Sequence, residues 1–512
     1  MSRLERSSKT IAFNFLNTGL TSLLGFVSRT VFIRILGSEY LGLAGLLNNV
    51  LGFLAISELG IAAAIGFSLY KPLAEKDYDT VSALMSLYRR AYAVIAGIVA
   101  VAGVGLFFFL DFFVPPEQQP DGTAVAYFAF LTSNVVGYLF SYKTTLINSD
   151  NQAYRIAPIV AIASIVQTTC QIVALLITRS YVVYIIIQIA CGILQMVVQN
   201  RFITRHYPQV DFRSRNKLDV AVKQQIKRNI GGLVIAKIGD YLVNSTDNLI
   251  ITKMVSLTAT GIYSNYLMIR NLINSVIGTL FGGITASLGN VVAVETDKRK
   301  LEIFETLLFS AFFVYAFEAV CFLCLLNPFI GDIWIGEEFL FDLPTVSIIV
   351  INNFLTGLRL PLIHMRSAAG KYMEDAWVPF AFAGINLVAS IILARYYGVA
   401  GVFLGTIIGS LLTADWYRPL VIYKHVFHVS VWKYFRKYAL YVLLGLAYMA
   451  GAYLLCSFIA TPYVILNFVI KAAIAVSVPI LLSVLFFYRT SEFKYLMSMF
   501  KRLTARLRRK KT

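Results

Sequence analysis

Polar side chains interrupt the apolar stretches of this sequence three or four positions apart, a spacing that places them on one face of a helix. Two long runs of polar residues have this spacing. The first consists of Asn14, Thr18, Thr21, Ser28 and Arg29, and the second of Lys237, Asp240, Asn244 and Asp247. A polar face in apolar surroundings needs water or another polar surface, so we predict that both helices line an aqueous cavity. Two shorter runs extend the predicted lining: Gln188, Gln195 and Gln199, and Asn352, Thr356 and Arg359.

Cations in such a cavity predict an anionic ligand. A guanidinium group offers planar paired donors and stays charged, so Arg29 and Arg270 suit a phosphate or pyrophosphate. Further candidates for the same role are Arg34, Arg359 and Lys237. Two alternatives stay open. Arg34, and less readily Arg29, could reach the outer lipid headgroups instead, and Lys237 could be neutralised by Asp240 on the same helix.

Carboxylates in the apolar stretches predict the binding of a coupling ion, Na⁺ or H⁺. Asp247 and Glu58 have no obvious partner near them in the sequence, and Asp240 is a third candidate. Glu318 and Lys471 are equally well explained as members of structural pairs.

The sequence contains no enzyme motif. It has no P-loop, no His-Glu-x-x-His and no spaced set of Ser, His and Asp. Cys321 and Cys324 lie in an apolar stretch without partner ligands, so we interpret them as packing residues. We therefore predict that the chain is not an enzyme and holds no metal and no cofactor.

The elements that must position these groups are membrane spans. The chain of 512 residues is 58% hydrophobic and 14% charged, with a mean hydropathy of +0.72, whereas soluble proteins are about 25% charged. A span needs about 20 apolar residues. Fourteen candidates fall at 11–36, 41–69, 91–114, 124–147, 156–178, 181–203, 229–254, 261–293, 303–327, 341–365, 377–396, 399–422, 438–460 and 463–488. We predict an all-α integral membrane protein with 14 transmembrane helices.

The distribution of the basic residues, which give the chain a net charge of +18, indicates the orientation of these spans. With a cytoplasmic N-terminus, 36 of the 45 Lys and Arg residues fall on the inner side, as the positive-inside rule requires. We therefore place both termini in the cytoplasm and expect no nucleic-acid partner. The basic tail carries apolar residues at helical spacing, which predicts a helix along the inner leaflet. A frayed tail that only fixes topology is the alternative.

An internal duplication organises the spans. Sliding the chain against itself by about 220 residues aligns Arg34 with Lys253 and Gly42 with Gly261. Spans one to six then repeat as seven to twelve in the same orientation, and such parallel repeats hold a substrate between them near the membrane midplane. The predicted parts are an N-terminal lobe at 1–203, a basic cytoplasmic linker at 204–228, a C-terminal lobe at 229–424, two further spans at 425–488 and the tail at 489–512.

Four motifs suggest a family: SRTVFIRILG at 28–37, EYLGL at 39–43, ELGI at 58–61 and LYKPLA at 69–74. With them the sequence resembles the polysaccharide repeat-unit flippases (Wzx-like), whose superfamily also contains lipid II flippases and multidrug and toxin extruders. The resemblance implies a V-shaped bundle of two six-helix lobes in the bacterial cytoplasmic membrane. It implies alternating access that carries undecaprenyl-pyrophosphate-linked oligosaccharide to the outer leaflet for capsule or exopolysaccharide synthesis.

In this resemblance Arg29 and Arg270 match the cavity arginines that hold the pyrophosphate. Membrane lipids, a polysaccharide polymerase and chain-length machinery are the implied partners, and we expect a monomer. Two other functions stay open: a cation-coupled multidrug extruder of the same fold, and a membrane glycan polymerase or transferase. The short predicted outer loops argue against the last.

Overall fold

The computed structural model describes residues 3–54, 58, 61–214, 246–371, 374–495 and 497–498, with the side chains of 3–16, 63, 279–280, 282–287, 290 and 293 outside that description. All regular structure in these ranges is helical. Ten of the described helical segments are long and apolar enough to cross a membrane. The predicted fold class, an all-α integral membrane protein, is confirmed.

The chain divides into two compact units, Met1–Ser264 and Asn265–Thr512. Unit 1 contains nine helices in its described part, with the start of a tenth. They are α1 Arg3–Leu36, α2 Ser38–Phe53, α3 Ile61–Glu75, α4 Tyr78–Phe107, α5 Leu110–Phe113, α6 Thr123–Ser149, α7 Ala157–Thr178, α8 Tyr181–His206, α9 Thr246–Met254 and α10 Leu257–Val294. Helix α6 is central in this unit, since it packs against α2, α3, α4 and α8.

Unit 2 begins inside α10 and continues with seven further helices in its described part. They are α11 Asp297–Asn327, α12 Leu343–Leu358, α13 Leu360–Ala369, α14 Val378–Leu412, α15 Ala414–Ile422, α16 Trp432–Ser457 and α17 Val464–Phe487. Helix α11 is the core of this unit, because it packs against α12, α16 and α17. Aromatic rings fill that contact, with Phe312 stacked on Tyr441 at 4.6 Å between centroids. The predicted lobe, linker and tail boundaries stay predictions, and 215–245 and 499–512 lie outside the described residues.

Every predicted span is helical wherever the structure describes it, but the spans at 377–396 and 399–422 share α14, which kinks at Gly398, and several helix ends differ from the predicted ones. Helix α4 begins at Tyr78 rather than near 91, because Asp77 caps it by accepting a hydrogen bond from the Thr80 amide at 3.0 Å. The bonds from Thr80 hold the pKa of Asp77 below its usual value. Helix α11 likewise begins at Asp297, with Thr296 as its cap. Hydropathy misses such starts because the first turns are polar.

A reciprocal glycine contact joins α2 to the start of α10 within unit 1. A Cβ on Gly42 would come within 3.0 Å of the Leu257 carbonyl, and a Cβ on Gly261 would come equally close to the Ser38 carbonyl. Each would also lie 3.2 Å from the amide nitrogen of the other glycine. The duplication pairs Gly42 with Gly261, and Ser38 with Leu257. An exchange-symmetric contact of this kind is what a two-fold relation between two repeated helices produces.

Candidate functional site

The first predicted polar run places Arg29 inside unit 1. Its guanidinium donates two hydrogen bonds to one residue of α10, from Nη1 to the Ser264 carbonyl at 2.9 Å and from Nη2 to the Ser264 hydroxyl at 2.7 Å. The adjacent Ser28 is buried, with its hydroxyl 3.3 Å from that of Tyr184. Arg29 is thus held at membrane depth by neutral groups, and it forms no ion pair with a carboxylate among the described residues.

The other members of that run have different surroundings. Thr21 is half-buried and donates to the Asn17 carbonyl of its own helix at 2.8 Å, while Thr18 is exposed. Arg34 is exposed in the last turn of α1, as the headgroup alternative requires. The side chain of Asn14 lies outside the described residues, and so do Lys237, Asp240 and Asn244. Asp247 is half-buried in the first turn of α9.

A cavity of about 530 Å³ opens between α2, α6 and α8 of unit 1. Six carboxamides line it: Asn48, Asn134, Gln188, Gln195, Gln199 and Asn200. Hydroxyl groups, three aromatic rings, a glycine and a methionine complete the wall, and none of the described residues that form it is charged. The predicted run of three glutamines on α8 therefore does line a cavity.

The α6 wall of this cavity follows from sequence spacing that we did not single out. Phe130, Asn134, Gly137, Ser141 and Thr144 lie four or three positions apart, so they share one face of α6. The spacing that reveals this face is the same one that marks α1 and α8. It is less conspicuous because a glycine and a phenylalanine are among its members.

Glu58 lies beside this region and is bound by a tyrosine. The Tyr92 hydroxyl donates to Glu58 Oε1 at 2.6 Å. The Tyr92 ring in turn packs edge-on against the ring of Tyr138, with centroids 5.6 Å apart, and Tyr138 lines the cavity. A predicted coupling carboxylate is thus linked to the cavity wall through two tyrosines.

In unit 2, Arg359 belongs to a largely buried ionic network, in which its side chain is 11% exposed and that of Asp415 is 6% exposed. Its Nε lies 3.5 Å from Asp415 Oδ1, and its Nη1 donates to the Ser410 hydroxyl. The Ser410 hydroxyl also bonds Asp415 Oδ2 at 2.9 Å. Sequence reasoning did not single out Asp415, although it falls within a predicted span. Arg359 is therefore neutralised within its own unit, so any ligand that recruits it has to displace a carboxylate.

Arg270 lies on α10 in unit 2 and is half-buried, with no hydrogen-bond partner for its buried Nε in the described part of the chain. Glu318, only 3% exposed on α11, lies within electrostatic reach of it. Asn274 and Asn353 are joined by a hydrogen bond of 3.1 Å in this unit. Arg29 and Arg270 belong to different compact units, so whether they meet one ligand stays a prediction.

No family model and no curated protein sequence matches the chain, but solved structures do. The lipid II flippase MurJ, in an inward closed conformation, matches 93% of this chain and 99% of its own with a TM-score of 0.65 at 13% identity. An inward-facing MATE multidrug resistance transporter of the MOP superfamily matches 81% and 98%, with a TM-score of 0.60 at 14% identity. The fold is that of the MOP-superfamily transporters.

A third structure with the MOP-superfamily fold is the Vibrio cholerae MATE transporter VcmN, which matches 83% of this chain and 98% of its own with a TM-score of 0.56 at 11% identity. At such identities the likeness concerns the fold. The predicted fold, that of the MOP-superfamily transporters, is therefore confirmed. The polysaccharide branch of that superfamily stays a prediction.

Proposed function

We propose that the protein is a flippase of the bacterial cytoplasmic membrane that moves undecaprenyl-pyrophosphate-linked oligosaccharide from the inner to the outer leaflet. The observation that carries this proposal is the environment of Arg29. The residue lies within a segment long and apolar enough to span the membrane, and its only hydrogen-bond partner in the described part of the chain is Ser264.

An uncompensated cation at membrane depth is costly, so it marks a place where an anion binds or passes. A guanidinium has five N–H donors. Two are engaged with Ser264, and three remain for the oxygens of a ligand. A pyrophosphate supplies both the charge and several acceptors, since guanidinium and phosphate groups match in planar, paired geometry.

The same observation separates this proposal from a multidrug extruder. A cationic drug would meet a guanidinium of like charge at Arg29 and a cavity in unit 1 whose described lining residues include no carboxylate. An extruder for cations needs acidic groups in its walls to offset that repulsion. Glu58 and Asp247 are the residues we assign to ion coupling, by Na⁺ or H⁺, and neither belongs to the cavity lining.

Reconstituted vesicles test the proposal. A fluorescent undecaprenyl-pyrophosphate oligosaccharide is incorporated, and its exposure to an external quencher is followed under imposed proton or sodium gradients. Arg29→Ala should slow translocation by about 10- to 100-fold, the loss expected for hydrogen bonds to a charged group. Arg29→Lys should recover only part of the rate, because an ammonium group cannot pair with two oxygens in a plane.

The matched control is Arg395→Ala, which removes an exposed cation from α14 and should leave the rate unchanged. Wild-type translocation by Arg29→Ala protein, at equal reconstitution, would contradict the assignment of the pyrophosphate to Arg29. Transport of a cationic dye, with no movement of the lipid, would favour the extruder.

A further inference from the structure

The geometry points to a second binding site for the same substrate: we infer that the carboxamide-lined cavity of unit 1 binds the oligosaccharide of the lipid-linked substrate through uncharged hydrogen bonds. This inference rests on the proposed function, and it assigns the sugar to residues distinct from Arg29. Within unit 1, the guanidinium of Arg29 then binds the phosphate groups and the cavity binds the hydroxyl groups of the sugar.

The lining has the chemistry that a sugar requires. Each hydroxyl group of a sugar both donates and accepts hydrogen bonds, and a carboxamide offers a carbonyl acceptor and an NH₂ donor side by side. Six carboxamides face one cavity here, whereas ordinary small-molecule sites are mostly apolar with a few polar groups. An uncharged wall also suits a neutral polyol, because contacts with such a ligand would not compensate for the free-energy cost of desolvating a charged side chain.

Several of these amides are left with hydrogen-bonding capacity. Asn48 and Asn134 each donate to a carbonyl of their own helix, at 2.8 and 2.9 Å, and so keep their side-chain oxygens as acceptors. Gln195 and Gln199 make no side-chain hydrogen bond to any described residue. Amides that hold membrane helices together bond across the helix interface. Gln195 and Gln199 make no such bond to a described residue, so helix association does not explain why these two amides lie within a span.

The cavity also has the size and the flat surfaces for sugar rings. Its volume of about 530 Å³ lies within the range of about 300–1,000 Å³ for small-molecule sites. The rings of Phe130 and Tyr138 belong to the lining, and aromatic faces can cover the apolar C–H face of a sugar. Gly137 widens the α6 wall, since the nearest described atom to a Cβ built there is the Met196 methyl carbon, at 3.9 Å.

Binding to the purified full-length protein in nanodiscs tests the inference with three probes. They are undecaprenyl pyrophosphate, the lipid-linked oligosaccharide fraction extracted from membranes of cells that produce the protein, and the same oligosaccharides released by mild acid. The double variant Asn48→Leu, Gln195→Leu removes two lining amides. The matched control is Asn49→Leu, whose amide also donates to its own helix at 2.8 Å but does not line the cavity.

We expect the wild-type protein to bind the lipid-linked oligosaccharide more tightly than the bare lipid. The double variant should lose roughly tenfold in affinity for the glycosylated lipid, the loss expected for two neutral hydrogen bonds. Its affinity for the bare lipid should not change. Gly137→Leu, which fills space without removing an amide, should have the same effect, and Asn49→Leu should behave as wild type.

Two outcomes would overturn the inference without affecting the proposed function. One is equal affinity of the wild-type protein for the two lipids. The other is a preference for the glycosylated lipid that is unchanged in both the double variant and Gly137→Leu. If the free oligosaccharides bind, with lower affinity in the double variant, but neither lipid does, the sugar site is supported and the proposed function is contradicted. If none of the three probes binds, the sugar site and the proposed function are both contradicted.

Discussion

Substituting Gly42 with alanine is expected to force α2 away from the start of α10. The added Cβ would lie 2.9 Å from the Leu257 carbonyl carbon, closer still to its oxygen, and 3.2 Å from the Gly261 nitrogen. All of these atoms are backbone, so no side chain can rotate out of the way. A separation of about 1 Å forfeits a quarter to a half of the dispersion energy at the contact, and overpacking of this kind costs about 1–3 kcal/mol.

The matched control for Gly42→Ala is Gly45→Ala, one turn along the same helix, where the nearest described atom to an added Cβ is the Thr260 methyl carbon, at 3.7 Å. Both substitutions gain about 1 kcal/mol of helix propensity, so the difference between them isolates the clash. We expect Gly42→Ala to be less stable than Gly45→Ala by about 1–3 kcal/mol. Thermal unfolding in detergent, monitored as loss of the monomer peak in size-exclusion chromatography, shows which of the two variants is less stable.

The double variant Gly42→Ala, Gly261→Ala tests the reciprocal geometry. One separation of the helices relieves both clashes, so the double variant should lose clearly less stability than the sum of the two single variants. Additive losses would refute the shared contact, and a Gly42→Ala protein as stable as Gly45→Ala would refute the close approach itself.

Three further predictions follow from contacts outside this interface. Asp77→Ala should cost about 1 kcal/mol by removing the N-cap of α4, whereas Asp77→Asn should be close to wild type in stability. Because the cap bonds lower the pKa of the Asp77 carboxyl group, the stabilisation by the ionised cap should persist at neutral pH and be lost as the pH falls through that lowered pKa. Thermal unfolding between pH 7 and pH 3 measures this loss. Asp415→Asn should destabilise the protein by about 3–5 kcal/mol by leaving Arg359 buried without its counter-ion, and the apolar pair Arg359→Met, Asp415→Leu should recover most of that loss in the same assay. Tyr92→Phe removes the 2.6 Å bond to Glu58 and should slow gradient-driven transport in the vesicle assay, whereas wild-type rates under both proton and sodium gradients would contradict the assignment of Glu58 to coupling.

Much of the architecture was predictable because hydropathy and helical spacing are properties of the chain alone. In lipid every backbone polar group has to be satisfied within its own segment, so a long apolar stretch becomes a helix whatever surrounds it. The same reasoning found Arg29 and the three glutamines of α8. It misplaced the starts of α4 and α11, where polar first turns and the caps Asp77 and Thr296 extend the helix beyond its apolar part.

The sequence by itself determined that this is a helical membrane protein with cations and amides at membrane depth. Only the tertiary structure decided which of those groups are already neutralised. Arg359 and Arg29 are both arginines in apolar stretches, yet one meets Asp415 and the other meets a serine. The amides of α2, α6 and α8 likewise become one cavity only when three separate segments pack together. Spacing along a helix fixes which face a side chain occupies, but its partner lies on another helix, and that choice depends on packing.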